Sequence, residues 1–293
     1  MAKPSKSNKK IDEQLSAFEA HLSSQKRSPA TLLAYRSDID QLVSFLYERD
    51  RVEAGKIKSV DLENFRDYLL GQKYTPKSVS RKLNAVKTFF RWMKQNGIIT
   101  KDISKDVSHP RIESTNPLFL SENEYRTLRD HVRTDTRILA IIELILQTGM
   151  RISEVAALKL SNIKAHEIVI EAYATQPQRS IPLNDAAAAA IALYMTTRPE
   201  VESATHLFIS KNGKPLAVRN IRAAIDKYFQ KASMPHFSVN DLRTTFIVEN
   251  VRRGVDLMLL SKVVGHKRIS TTERYLSLSG VNESGKKQKL EVL

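Results

Sequence analysis

Four side chains in the second half of the chain are of the types that break a phosphodiester bond without a metal ion. That reaction needs a nucleophile, cations that neutralise the charge growing on the non-bridging oxygens, and an acid that protonates the leaving oxygen. A tyrosine can act as the nucleophile, and the planar guanidinium of arginine grips two phosphate oxygens without losing its proton. The four candidates are Arg151 in TGMRISEVAAL (148–158), Arg243 in VNDLRTTF (239–246), and His266 and Tyr275 in VVGHKRISTTERYL (263–276).

The charge balance favours a polyanionic partner. The 293 residues contain 47 Lys and Arg against 32 Asp and Glu, which gives a net charge of +15. Proteins with this charge most often bind polyphosphates, although charge alone also allows a merely soluble basic protein. The length suits two domains, and 41% hydrophobic residues is enough for a real core.

Several classes of protein are disfavoured by the sequence. The absence of cysteine excludes a disulfide framework and thiolate metal sites. The basic start MAKPSKSNKK has no apolar stretch behind it, so it does not resemble a signal peptide. The longest apolar runs, such as ILAIIELIL (138–146), are too short to span a bilayer. We therefore expect a soluble intracellular protein.

The first half of the chain is predicted to be a helical domain over residues 11–101, after a flexible basic tail at 1–10. Its most informative helix spans about Pro76–Asn96, where apolar residues recur every third or fourth position. No acidic residue occurs between Lys73 and Lys101, whereas helices in solvent normally mix charges of both signs. Such one-signed helices more often lie against phosphates. Six basic residues are therefore predicted to bind DNA, namely Lys77, Arg81, Lys82, Lys87, Arg91 and Lys94.

The second half is predicted to be a separate domain over 118–280, joined by an aperiodic linker at 102–117. Its pattern is mostly helical. Two β signals, at 167–173 and 179–183, predict a small antiparallel sheet, and the KNGK turn at 211–214 suits a second tight hairpin. The expected fold class is mostly α, with a helical first domain and an α-rich second domain that contains a small antiparallel β-sheet.

Each of the four candidate residues is weak evidence alone, because an arginine near a turn is usually in a surface ion pair and a lone tyrosine usually belongs to a core. Together, in this order, they closely resemble the tyrosine recombinase (phage integrase) family, in particular its two-domain Xer-like members. The family pattern is T-G-x-R-x-S-E-x-x-x-L, then H-x-L-R, then L-G-H, with a tyrosine nine residues after the last histidine. The resemblance covers nearly the whole chain and makes the first domain a core-binding domain and the second a catalytic domain.

The resemblance assigns a role to each matching residue. Tyr275 would be the nucleophile that attacks a DNA phosphate and leaves a 3′-phosphotyrosyl link and a free 5′-hydroxyl. Arg151 and Arg243 match the two arginines that clamp the scissile phosphate, and His266 matches the histidine that hydrogen-bonds it. Glu154 matches a family glutamate that we expect to orient Arg151 rather than react. Because the covalent link keeps the energy of the broken bond, no ATP, metal or other cofactor is expected.

Two departures from the family pattern concern proton transfer. Asn240 stands where the family has the histidine of H-x-L-R, and an amide can donate a hydrogen bond but cannot exchange a proton near neutral pH. The family also places a lysine in the turn of the first hairpin as the acid for the 5′-oxygen. Here Ala174 is near that position, and no lysine occurs between Ala165 and Ser210. Lys211 is the tentative substitute, with a DNA-backbone contact as its more favoured role. A water held by Gln176 or Asn240 is the other candidate.

The resemblance further implies a bacterial, cytoplasmic, nucleoid-associated enzyme without a membrane partner. It would act on double-stranded DNA at specific paired sites, as a homo-tetramer on DNA and a monomer when free, with accessory DNA-binding proteins as further candidates. Integration, excision or resolution of a mobile element such as a transposon, and resolution of chromosome dimers, all fit. The tail at 281–293 is either disordered or docks on a neighbouring protomer. Two other functions compete, namely type IB topoisomerase activity and DNA binding with weakened or lost catalysis.

Overall fold

The computed structural model describes residues 10–25, 27–113, 116–173 and 176–279. The chain divides into two compact units, Met1–Ser114 and Thr115–Leu293. Each unit has its own cluster of buried apolar side chains. Within the described ranges, no helix is long and apolar enough to cross a membrane. The predicted tails at 1–10, apart from Lys10, and at 281–293 lie outside the described residues.

Four α-helices and one 3₁₀ turn build the first unit. They are α1 (Glu13–Ser24), α2 (Pro29–Tyr47), α3 (Ser59–Gly71), α4 (Pro76–Gln95) and the 3₁₀ turn Ile103–Asp106. The starts of α2 and α4 follow directly from the sequence. Ser28 and Thr75 each accept the backbone N–H three residues further on at 3.2 Å, and each precedes a proline at the first helical position. A proline there removes an N–H that would have no helical partner.

The core of the first unit is rich in aromatic rings. Phe18 of α1 lies 5.0 Å from Phe89 and 5.4 Å from Trp92 of α4, measured between ring centroids. Phe45 of α2 lies 5.3 Å from Phe65 of α3. Because each large ring buries much apolar area, these contacts hold the apolar face of α4 against the core. The opposite, polar face of α4 is thereby turned to the surface of the unit.

The second unit has nine α-helices in its described part, together with one 3₁₀ turn and two strands. They are α5 (Glu122–Val132), α6 (Thr136–Thr148), α7 (Ile152–Ala157), the 3₁₀ turn Leu160–Asn162, β1 (Glu167–Ile170), β2 (Arg179–Pro182), α8 (Asp185–Met195), α9 (Val218–Lys231), α10 (Val239–Arg252), α11 (Leu257–Val264), α12 (Ser270–Glu273) and α13 (Leu276–Ser279). Helix α5 begins with the capping box that the sequence predicts, since Ser121 and Glu124 bond each other's backbone N–H.

Helix α6 is the centre of the second unit. It is apolar on nearly all sides and packs against α8 and α10, as expected of a helix that is buried all round. It ends at Gly149, whose φ of 63° is the left-handed conformation that terminates many helices. A Cβ at Gly149 would overlap the ring of Phe246 on α10. The close approach of α10 to the end of α6 therefore requires glycine there.

The predicted small antiparallel sheet is present as the hairpin of β1 and β2. Ile168 pairs with Ile181, and Ile170 pairs with Arg179. Because side chains alternate between faces, Arg179 lies on the same face as the buried Ile181.

The second predicted hairpin is reduced to one bridge, between Ile209 and Pro215. Its turn forms as expected, with Gly213 at a φ of 73° and the Ser210 N–H donating to the Lys214 carbonyl at 2.8 Å. Pro215 has no N–H to continue a ladder, which limits the pairing.

Gly149→Ala should destabilise the second unit. We expect a loss of about 2–5 kcal/mol in the free energy of unfolding, because the left-handed backbone costs roughly 1–2 kcal/mol and overpacking against Phe246 about 1–3 kcal/mol. Gly71→Ala is the matched control, because no atom lies within 4 Å of an added Cβ at Gly71. Urea unfolding of both variants measures the difference. Equal stabilities of the two variants would contradict the packing described for Gly149.

Candidate active site

Two arginines meet where the C-terminal ends of α6 and α11 come together. Arg243, on α10, donates from Nη1 to the Gly149 carbonyl and from Nη2 to the Val264 carbonyl at 2.7 Å. Arg151, just before α7, donates from Nη2 to the Gly265 carbonyl at 2.6 Å. Carbonyls at a helix end lack intrahelical partners and are free to accept such bonds. The fold therefore fixes two cations that are distant in the sequence beside one another.

Glu154 lies between Arg151 and a third arginine, Arg179. Its carboxylate accepts the Arg151 backbone N–H at 2.8 Å and Arg151 Nη1 at 3.1 Å. Arg179 binds the same carboxylate with two parallel bonds of 2.9 and 2.8 Å, which is the strongest geometry for this pair. Burial alone would raise the pKa of Glu154, but the bonds from Arg179 and the Arg151 backbone, with the charges of both arginines, lower it. Glu154 is therefore ionised and cannot supply a proton at neutral pH.

Arg179 is the member of this cluster that the sequence analysis did not identify. Its side chain is 10% exposed, and its Nε donates to the Val263 carbonyl at 2.8 Å. A Cβ at Gly265 would lie 3.0 Å from Arg179 Cζ and 3.1 Å from Arg151 Nη1. Because Gly265 has no Cβ, both guanidinium groups have room to pack against its backbone. The available signal was strand alternation, which places Arg179 on the buried face of β2.

His266 and Tyr275 form the other side of the cluster. His266 follows Gly265, and its Nδ1 lies 2.8 Å from the hydroxyl oxygen of Thr272. Its ring is nearly parallel to that of Tyr275, with centroids 6.3 Å apart and an angle of 11° between planes. Tyr275 also packs on the apolar cluster between α10 and α11. Thr272, which fixes the histidine ring, was not identified from the sequence.

The electrostatics of the cluster favour a bound anion. Burial, then the charges of Arg243 and Arg151, lower the pKa of His266 to about 4. Burial and the charge of Arg151 lower the pKa of Arg243 to about 10, which still leaves the guanidinium charged at neutral pH. Among the described side chains of this cluster, Glu154 supplies the one carboxylate, and it pairs with Arg151 and Arg179. With Arg243, the cluster has three arginines for that single negative charge. A phosphate would supply the missing negative charge.

Asn240 lies close to the cluster and Lys211 does not. Asn240 is exposed and precedes Arg243 by three residues on α10, so both lie on one helix face. Lys211 lies two residues after Ile209. The Ile209 carbonyl accepts a 3.1 Å hydrogen bond from Arg137 in the first turn of α6. That end of α6 is about 18 Å from its C-terminal end, at 1.5 Å per residue. The structure therefore places Lys211 beside the end of α6 opposite to the arginine cluster.

The six basic residues predicted to bind DNA differ in their surroundings. Lys82 is buried, with Nζ 2.9 Å from Asp38 of α2, and Arg81 binds the same carboxylate from an exposed position. Lys87 is half-buried and donates to the Val107 carbonyl at 2.7 Å. Four of the six are exposed on α4, namely Lys77, Arg81, Arg91 and Lys94.

Comparison with known proteins gives the family. Residues 118–280 match the model of the phage integrase family, and residues 15–97 match the model of the phage integrase N-terminal SAM-like domain. The first of these matches spans more than half of the chain. A tyrosine recombinase XerC from Roseiflexus sp. (strain RS-1) is 28% identical over 282 residues, which cover 92% of this chain and 90% of the relative.

The chain belongs to the phage integrase family.

Solved structures of integrases share the fold. A lambda integrase dimer bound to a COC' core site matches with a TM-score of 0.74 at 16% identity, over 100% of this chain and 85% of that one. The integrase of transposon Tn1549, in complex with transposon right end DNA, matches with a TM-score of 0.76 at 17% identity, over 91% and 94% of the two chains.

These findings confirm the predicted Xer-like tyrosine recombinase resemblance and the mostly helical fold with a small antiparallel sheet. They also confirm the predicted enzyme class, a site-specific tyrosine recombinase, and do not favour the two competing functions. The roles of individual residues stay predictions.

His266 of this integrase-family protein should titrate far below an ordinary histidine. An unfolded histidine takes up a proton near pH 6.5, whereas folded His266 does so near 4. Between these values the unfolded state binds more protons, so stability falls as the pH drops from 6.5 to 4. NMR titration of the imidazole, assigned with His266→Gln, should give a midpoint near 4, and the variant should lose this part of the pH dependence. A midpoint near 6.5 would mean that the ring does not lie beside the arginines.

Proposed function

We propose that Tyr275 attacks a phosphate of double-stranded DNA and forms a 3′-phosphotyrosyl link with release of a 5′-hydroxyl. Arg151 and Arg243 stabilise the negative charge that develops on the non-bridging oxygens, because preorganised donors need no rearrangement during the reaction. The observation that carries this proposal is the meeting of both guanidinium groups at the end of α11, next to the stacked rings of His266 and Tyr275. A second 5′-hydroxyl that attacks the link rejoins the strands.

His266 acts as a neutral hydrogen-bond donor in this proposal. Its low pKa, about 4, keeps the ring uncharged at neutral pH. When Nδ1 accepts the Thr272 hydroxyl proton, Nε2 carries the ring proton and can donate to a phosphate oxygen. Asn240 supplies a second neutral donor from the exposed face of α10, one turn before Arg243. Asn240 therefore replaces the hydrogen bond of the family histidine but not its proton exchange.

Glu154 and the exposed basic residues of α4 act without touching the reacting bond. Glu154 holds the Arg151 side chain and backbone in one orientation. In the first unit, Lys77, Arg91 and Lys94 neutralise DNA phosphates. Lys82 contributes indirectly, because its buried pair with Asp38 joins α4 to α2.

Recombination of two paired sites requires several copies of the chain on DNA. In the lambda structure a dimer binds one core site, so two paired sites imply a homo-tetramer. We propose that the free protein is a monomer, that residues 281–293 dock on a neighbouring copy, and that accessory DNA-binding proteins select the pairing on the nucleoid. The Tn1549 match supports the integration, excision or resolution of a mobile element as the setting.

Tyr275→Phe should bind DNA normally and give no covalent protein–DNA product, because the nucleophilic oxygen is absent. Denaturing gels of the reaction with a nicked substrate measure the product, and gel shift measures binding. Covalent product from Tyr275→Phe would reassign the nucleophile.

Arg151→Ala and Arg243→Ala test the charge stabilisation in the same assay. Each should slow formation of the covalent product by about 10²-fold or more. Arg126→Ala is the control, because Arg126 is an exposed arginine paired with Glu122 on α5. A loss of similar size in the control would show that the effect does not belong to the cluster.

A further inference from the structure

The proposed reaction lacks a proton donor for the 5′-oxygen, and the further inference rests on that proposed function. Expulsion of an alkoxide near neutral pH requires a proton as the bond breaks. The arginines of the cluster keep their protons, and His266 is neutral with a pKa of about 4. Tyr275 is the nucleophile. The donor is therefore either a water or a side chain other than these.

A cavity of about 400 Å³ lies next to Arg151, between α7 and the β1–β2 hairpin. Its lining includes Arg151, Glu154 and Arg179, the ion-paired part of the cluster. It also includes Tyr173 and Gln176, in the segment between β1 and β2. The bonds of Arg179 to Glu154 therefore fix the hairpin relative to Arg151.

Most polar side chains along this cavity cannot give up a proton. Hydrogen bonds from Lys159 and Asn162 lower the pKa of Glu171, so it is ionised, as is Glu154. Ser153 has an aliphatic hydroxyl, which is too weak an acid. Among the described side chains that line the cavity, Tyr173 is the one with a proton of suitable acidity. Phenols and ammonium groups titrate in the same range, near pKa values of about 10 and 10.4 in model peptides.

The position of Tyr173 is also suitable. Its backbone is held by two bonds to Gln176, from Tyr173 N–H to the Gln176 carbonyl at 3.0 Å and in the reverse direction at 2.9 Å. The residue is nevertheless 67% exposed. Among the described residues, none forms a hydrogen bond with its hydroxyl, whereas Glu143 accepts one from the hydroxyl of Tyr125 at 2.9 Å. Tyr173 thus combines a fixed backbone with an accessible hydroxyl, which allows the side chain to contact a bound substrate.

We propose that Tyr173 is a further catalytic residue that protonates the leaving 5′-oxygen. The Tyr275 oxygen bonds to phosphorus while the bond from phosphorus to the 5′-oxygen breaks, and the 5′-oxygen takes the Tyr173 proton. Solvent accepts the proton that Tyr275 releases and returns one to the Tyr173 phenolate, so the reaction is balanced. In the joining reaction the phenolate takes the proton of the attacking 5′-hydroxyl.

A substrate with sulfur in place of the 5′-bridging oxygen tests this proposal, because a thiolate leaves without a proton. Full-length wild type, Tyr173→Phe and the control Tyr47→Phe are compared in single-turnover formation of the covalent product on both substrates. Tyr47 is an exposed tyrosine of α2. Tyr173→Phe should be slower than wild type by about 10²-fold or more on the oxygen substrate. It should be within about threefold of wild type on the sulfur substrate, and the control should match wild type on both.

Two results would overturn the proposal. An equal loss of Tyr173→Phe on both substrates would mean that the phenol positions DNA or that the variant is misfolded, and neither is proton donation. No loss on the oxygen substrate would assign the proton to water or another group. Failure of the proposed function itself has a different signature, since wild type would then form no covalent product through Tyr275 on either substrate.

Discussion

The carboxylate of Glu154 is the point at which three parts of the active site are joined. It receives the backbone and side chain of Arg151 before α7 and the paired bonds of Arg179 from β2, while Arg179 also holds a carbonyl at the end of α11. Removing one partner of a buried ion pair costs about 3–5 kcal/mol, because the other charge is left without compensation. The positions of the hairpin, of Arg151 and of the segment before His266 therefore depend on one another.

The same pairing leaves the site with an excess of positive charge. Glu154 compensates one guanidinium, and burial together with the remaining positive charge lowers the pKa values of His266 and Arg243. Protein carbonyls at the ends of α6 and α11 hold the arginines but cannot neutralise them. In the proposed reaction, a phosphate diester adds the negative charge that the cluster lacks, and more negative charge develops in the transition state. We therefore propose that binding and catalysis use the same arrangement of positive charges.

The sequence predicts the local features of this site and fails on the non-local ones. The order and spacing of Arg151, Arg243, His266 and Tyr275 identify the cluster because each lies in a short specific motif. The role of Arg179 depends on strand register and on the position of α11, which no local pattern contains. The pairing of Lys82 with Asp38 likewise joins two helices. Lys211 is near the first hairpin in sequence, but the length of α6 separates it from the arginines.

The central claim is that Arg151 and Arg243 act by neutralising charge on the scissile phosphate. A methylphosphonate at the cleavage position tests it most directly, because a neutral methyl group replaces a non-bridging oxygen. Arg151→Ala and Arg243→Ala, slowed by about 10²-fold or more on ordinary DNA, should come within about tenfold of wild type on the methylphosphonate. An unchanged ratio of wild-type to variant rates on the two substrates would contradict the account, since the arginines would then serve to position DNA rather than to stabilise charge.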